Sequence, residues 1–117
     1  MKIKKFKTIS STHTYLKENN SKYTENTVIL AEEQTGGIGT KGRNWHTGSN
    51  KNIAMSMLFR PQKNVKNLEG LTIEIAKRIQ KIMEQKYNIK LTIKEPNDLM
   101  LNEKKICGIL TESNTIG

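Results

Sequence analysis

The chain has 117 residues, 34% of them hydrophobic, and a formal net charge of +9 at pH 7, which fits one soluble domain with a real core. No apolar run is long enough to span a bilayer, the lysine-rich start MKIKKFK lacks the apolar region of a signal peptide, and the single cysteine, Cys107, excludes an internal disulfide and suits a reducing cytosol. The charge invites a nucleic-acid reading, but Arg43, Arg60 and Arg78 are the only arginines and aromatics make up 5%, so a solvated lysine surface is the better account.

In chain order, Lys2 to Ile9 reads as a first strand with Ile3, Phe6 and Ile9 as apolar points. Ser10-Ser11-Thr12 offers helix N-caps, and His13 to Glu18 a short helix with Tyr15 and Leu16 inward. Thr27 to Glu33 (TVILAEE) is a β-branched apolar run, the pattern of a buried strand. Gln34 to Lys51 has no apolar periodicity and reads as one long connection, a length that usually marks function or disorder. Asn52 to Phe59 alternates as a strand and ends before Pro61. Leu68, Leu71, Ile75, Ile79 and Ile82, widened by Ile73, Ala76 and Met83, predict a long amphipathic helix over roughly Val65 to Tyr87 whose stripe packs the core. Ile89 to Lys94 reads as a strand, and DLMLNEKKICGILTE as a hairpin turning at Asn102-Glu103. The order β-α-β-loop-β-α-β-β-β predicts an α/β chain of the α+β type, with a mixed, largely antiparallel sheet packed with helices.

The long connection holds TGGIGTKGRNW, with a literal G-x-G-x-x-G at Gly37, Gly39 and Gly42. A dinucleotide turn needs a helix to begin at those glycines, so that its N–H groups meet the pyrophosphate. Here Arg43-Asn44-Trp45-His46 leads toward a strand. A P-loop needs Lys and then Ser or Thr after its last glycine, and Arg43-Asn44 stand there instead. What remains is a glycine-rich loop, with Lys41 and Arg43 as charges, able to fold over an anion. Trp45 is either a flat wall for a ring or a core residue.

A second constellation is KEPNDLMLNEKKICGIL. Asp98 either helps hold magnesium near phosphates or is a turn residue. Lys105 either stabilises charge developing on a carboxyl or phosphoryl group or is a solvated hairpin lysine. Gly108 on the return strand suggests a close approach. Cys107 reads as a small apolar residue and not a nucleophile. His13 and His46 have no partners at ligand spacing, so no zinc site is expected.

Taken together, these stretches resemble the catalytic domain of biotin–protein ligases. That family carries G-R-G-R-R-G-R-x-W after a strand, then K-W-P-N-D-L and K-x-x-G-I-L. This chain has Gly37 to Trp45, then Lys94-Glu95-Pro96-Asn97-Asp98-Leu99, then Lys105-Ile106-Cys107-Gly108-Ile109-Leu110, and Ser10-Ser11-Thr12-His13 is similar to the family's early D-S-T-N. The resemblance runs from about Ile9 to Glu112.

The resemblance implies a class II synthetase-like fold and a two-step reaction. Biotin and MgATP give biotinyl-5′-adenylate, and the biotinyl group then passes to a lysine of a carboxylase's biotin carboxyl carrier domain. Ser11, Thr12 and His13 match the biotin-pocket S-T-N, and Gln34 a biotin-contacting Gln. Gly37, Ile38, Gly39, Thr40, Lys41 and Gly42 match the loop over biotin and adenylate, with Arg43 and Trp45 toward the nucleotide. Asn97 and Asp98 match residues serving ATP and Mg2+, Asp98 as the metal ligand. Lys105 matches the lysine that contacts biotin and takes part in the chemistry, with Gly108 beside it.

The departures are Ile38, Thr40 and Lys41 in place of loop arginines, Glu95 in place of Trp, and His13 in place of Asn. The expected organisation is a single partial catalytic domain over 1–117. Neither a DNA-binding helix-turn-helix nor the family's C-terminal barrel is expected, and the resemblance admits a homodimer, no DNA partner, no membrane and a cytoplasmic setting. The alternatives are a lipoate–protein ligase-like enzyme, whose R-R-x-x-G-G-G-x-V-x-H-D loop does not match TGGIGTKGRNW, and a non-catalytic fragment that binds biotin or a partner.

Overall fold

The computed structural model describes residues 1–38, 44–47, 52–60, 68–94 and 98–113, with backbone alone at 37–38 and 44–47. The chain divides into two compact units, Met1–Gln62 and Lys63–Gly117.

The first unit holds β1 (Lys2–Ile9), α1 (Thr12–Asn19), a 3-10 turn (Asn20–Lys22), β2 (Thr27–Ile38), β3 (Asn44–Thr47) and β4 (Ala54–Met57). β1 runs parallel to β2, from Lys2↔Thr27 to Ile9↔Gln34. On the other side of β2, β4 pairs antiparallel from Val28↔Met57 to Ala31↔Ala54, and β3 pairs antiparallel with its far end. β2 is therefore the central strand, which is why its start is a continuous apolar run. Leu16 of α1 joins Val28, Ile29, Ala31 and Ala54 in the buried core. α1 starts where it does because Ser11 is extended (φ -160°) and its Oγ accepts from the Thr14 N–H at 3.1 Å.

The structure corrects the expected single connection from Gln34 to Lys51. β2 continues through Gln34 to Ile38, and Asn44–Thr47 returns along it as β3, with a register irregularity between Gln34 and Gly37. Backbone pairing needs no apolar side chain, so glycine and threonine can extend a strand that their side chains do not announce. The strand expected over Asn52 to Phe59 is confined to Ala54–Met57.

The second unit holds α2 (Leu68–Tyr87), β5 (Thr92–Lys94), β6 (Asp98–Leu101) and β7 (Lys104–Gly108), the three strands forming an antiparallel sheet in that order. Ala76, Leu91 and Leu99 are its buried centre, with Ile79, Met83, Ile93 and Cys107 packed against them. The apolar stripe of α2 falls where expected at Ala76, Ile79 and Met83, with buried Thr72 added to it and Ile82, 51% exposed, left outside. Burial of Thr72 is tolerated because its hydroxyl lies 2.7 Å from the Leu68 carbonyl oxygen. α2 ends at Asn88, whose φ of 55° turns the chain so that the next N–H, that of Ile89, reaches the Met83 carbonyl at 3.2 Å. The hairpin turns at Asn102 (φ 50°) and Glu103 (φ 66°), as expected. No helix among the described residues is long and apolar enough to cross a membrane.

Candidate active site

The first unit brings together three of the residues singled out in the sequence. β1 ends at Ile9 and α1 begins at Thr12, so Ser11 and Thr12 sit at the junction, 2% and 3% exposed. Gly36 ties β2 to that junction by donating its N–H to the Ser10 carbonyl at 2.6 Å. Gln34, two residues earlier on β2, accepts through Oε1 from the Thr12 N–H at 2.8 Å and from the Thr12 hydroxyl at 3.1 Å. His13 is half-buried on α1. The Thr12 hydroxyl also meets the Ser56 hydroxyl at 2.8 Å. Ser56 was not singled out in the sequence. The available signal was a lone hydroxyl at an inward position of β4, two residues from buried Ala54.

The second unit brings together Asp98, at the start of β6, and Lys105, on β7. The Lys105 ammonium lies 2.9 Å from Oδ1 of Asp98, with side-chain exposures of 39% and 19%. Oδ1 is shielded from solvent and has no aligned hydrogen-bond donor among the described residues, so the attraction is mainly that of two opposite charges.

The pairing of β6 with β7 explains how Lys105 comes to face Asp98. Leu99 pairs with Cys107 and Met100 with Lys105, so Ile106 is an extra residue, a β-bulge. Lys105 and Cys107 are two residues apart and would share a face in a regular strand. Here Cys107 joins Leu99 on the core side, while Lys105 reaches Asp98 on the other. Burial pushes the Cys107 thiol above its ordinary value, Asp98 adds to the rise, and Lys105 opposes it. This suits an inert packed thiol and not a nucleophile.

Of the remaining candidates, Gly39, Thr40, Lys41, Gly42, Arg43 and Asn97 lie outside the described residues. The backbone of Gly37 and Ile38 is the end of β2, and that of Trp45 pairs with Gly37. Gly108 pairs with Asp98. No group of three or more His, Cys, Asp or Glu side chains among the described residues is arranged to hold a metal by itself.

The profile of the Biotin/lipoate A/B protein ligase family matches residues 5–117. The chain belongs to this family. The bifunctional ligase/repressor BirA of Bacillus subtilis is 36% identical over 93 residues, covering 80% of this chain and 29% of that protein. The biotin–[acetyl-CoA-carboxylase] ligase of Paracoccus denitrificans is 34% identical over 91 residues, 76% of this chain and 38% of that one. Among solved structures, the Aquifex aeolicus biotin protein ligase in complex with biotin and ATP superposes with a TM-score of 0.86 at 30% identity, covering 96% of this chain and 47% of that one. This member of the family thus spans about half the length of that structure and less of the curated relatives. The mixed α/β fold expected from the sequence agrees with these structures.

Proposed function

We propose that this chain carries the biotin-activating part of a biotin–protein ligase. One observation carries the reading. The S-T-H, glycine-loop, P-N-D-L and K-x-x-G-I-L motifs stand in order in a chain whose fold matches an enzyme solved with biotin and ATP. In this reading Ser11, Thr12, His13 and Gln34 hold biotin, and residues Gly37 to Arg43 with Trp45 cover the adenylate. Lys105 offsets the negative charge of the reacting carboxylate and phosphate, with Gly108 beside it.

A carboxylate oxygen of biotin attacks the α-phosphorus of ATP, and the bond to pyrophosphate breaks. The acceptor lysine amine then attacks the acyl carbon, and AMP leaves. Two anions meet in the first step, so a fixed ammonium lowers the barrier. The mixed anhydride is labile, so a covering loop protects it from water.

Magnesium fits the residues present if the nucleotide supplies most of its ligands, because the ion is usually bound through one or two carboxylates plus substrate phosphates. Asp98 would supply the carboxylate and Asn97 an amide oxygen. When bound, the ion would neutralise charge on the phosphates. Asp98 would then face two cations, Lys105 and the metal, and Lys105 is more exposed than Asp98, 39% against 19%.

The acceptor in this reading is a biotin carboxyl carrier domain of acetyl-CoA carboxylase or a related carboxylase, in the cytoplasm. ATP–pyrophosphate exchange with biotin, compared with lipoate, tests the proposal. Exchange with biotin alone is the expected result. Exchange with lipoate alone overturns the substrate, and exchange with neither overturns catalysis by this chain in favour of a binding fragment.

A further inference from the structure

The hydrogen bonds around Thr12 have only one consistent direction. The Thr12 N–H can only donate, so the Gln34 atom it meets at 2.8 Å is the carbonyl oxygen. That oxygen cannot donate, so the Thr12 hydroxyl gives it its single hydrogen, at 3.1 Å. Thr12 Oγ1 then has no hydrogen left for Ser56, 2.8 Å away, and Ser56 must be the donor in that contact. The chain runs from Ser56 through Thr12 to Gln34. Both acceptor sites of Oε1 are thereby taken from within the protein, and any hydrogen bond the Gln34 amide makes to a ligand is donated by Nε2.

We propose that Ser56 is a positioning residue of this pocket: it holds Thr12 as the donor to Gln34, and so fixes Gln34 as a donor toward an acceptor group on the ligand. The inference deepens the biotin reading and rests on it, because biotin carries acceptor oxygens, on its cyclic urea and on its carboxylate, that an amide N–H can meet. Three elements converge on the chain. Thr12 opens α1, Gln34 lies on the central strand β2, and Ser56 lies on β4 paired opposite Ile29. Thr12 is 3% exposed, so bulk water does not substitute freely for a missing partner. Removing the Ser56 hydroxyl takes away the hydrogen bond that Thr12 Oγ1 accepts, so the rotamer that aims the Thr12 hydrogen at Gln34 is held by one bond instead of two, and the amide is held less firmly.

The test uses the 117-residue chain with Ser56→Ala, Ser56→Thr and Gln34→Glu, read by biotin titration calorimetry and by thermal unfolding without ligand. Ser56→Ala is expected to weaken biotin binding about three- to tenfold, the scale of one net hydrogen bond. Ser56→Thr, which keeps the hydroxyl, restores most of it. Gln34→Glu, whose carboxylate cannot donate, loses more than Ser56→Ala. A purely structural role would lower the unfolding temperature of Ser56→Ala and leave the affinity of the folded protein unchanged, which overturns the proposal. Gln34→Glu binding as tightly as the parent overturns the donor assignment. If the parent chain binds no biotin, the ligand reading fails. The positioning claim is then judged by hydrogen exchange at the Thr12 N–H, which Ser56→Ala must accelerate and Ser56→Thr must not.

Discussion

Lys105 and Asp98 stand 2.9 Å apart on neighbouring strands, and a β-bulge at Ile106 separates the lysine from the core-facing Cys107. The two charges are unequally exposed, 39% for Lys105 and 19% for Asp98. The lysine is thus the more solvated partner and the carboxylate the more shielded one.

This asymmetry makes Lys105→Met informative. A pair with a partner this exposed contributes little to folding, about 0.2–1 kcal/mol after solvent screening. Loss of a cation aimed at developing charge costs far more in rate, on the order of a hundredfold. Urea unfolding should therefore change slightly, while biotin-dependent pyrophosphate exchange collapses. Near-parental exchange would remove Lys105 from the chemistry.

The hairpin turn holds an easily relieved strain. Glu103 has a φ of 66°, in the left-handed region where a Cβ is costly. Glu103→Gly should raise stability by about 0.5–1 kcal/mol, the relief being partly offset by the greater freedom of glycine in the unfolded chain. Asn102 already suits its position, so Asn102→Gly should gain less. Denaturant midpoints for the two variants, compared side by side, settle the matter.

Cys107 gives a pH prediction with a definite sign. Its thiol holds its proton to a higher pH in the folded chain than in the unfolded one, chiefly because burial disfavours the thiolate. Between the ordinary thiol value and the raised one, the folded state binds more protons than the unfolded state, so stability falls as pH rises through that window. Below the ordinary value the contribution is fully present. Cys107→Ala should flatten the alkaline end of a stability–pH curve, and thiol alkylation of the parent should be slower than that of a free cysteine peptide at the same pH.

Leu99 is fully buried at the centre of the second unit's core. Leu99→Ala should cost about 2–5 kcal/mol. That is large enough to unfold a marginal domain, so circular dichroism of the variant is a direct check.

The loop departures give a fifth prediction. With Ile38, Thr40 and Lys41 where the resembling family carries arginines, fewer guanidinium groups are available to retain an adenylate. Thr40→Arg should slow adenylate loss in a chase experiment and reduce labelling of unrelated lysines. An unchanged release rate would show that arginine at this position does not retain the intermediate.

Much of the fold was legible because single residues carried strong local physics. Ser11 announced α1 as a cap, Asn102 announced the turn, and the apolar run from Thr27 announced a central strand. The continuation of β2 through Gly36 to Ile38 was not legible, because those residues contribute backbone pairing and little else. Nor was the edge of the α2 stripe, where Thr72 is buried and Ile82 exposed, because burial of Thr72 depends on its hydroxyl finding the Leu68 carbonyl and the Thr111 hydroxyl. For the site, side-chain chemistry singled out Asp98 and Lys105 and the family resemblance added Thr12 and Gln34, but Ser56 looked like any other serine in a strand. Its role arises only when β4 is paired to β2 opposite Ile29.

The extra residue at Ile106 separates two kinds of tolerance. Its side chain is 47% exposed, so many different letters should be acceptable there. The place it occupies is less forgiving. Shortening β7 by one residue would smooth the ladder, pull Lys105 toward a different slant relative to Asp98, and leave the motif spelled with one residue fewer between its lysine and its glycine. At this point of the chain, counting matters more than spelling.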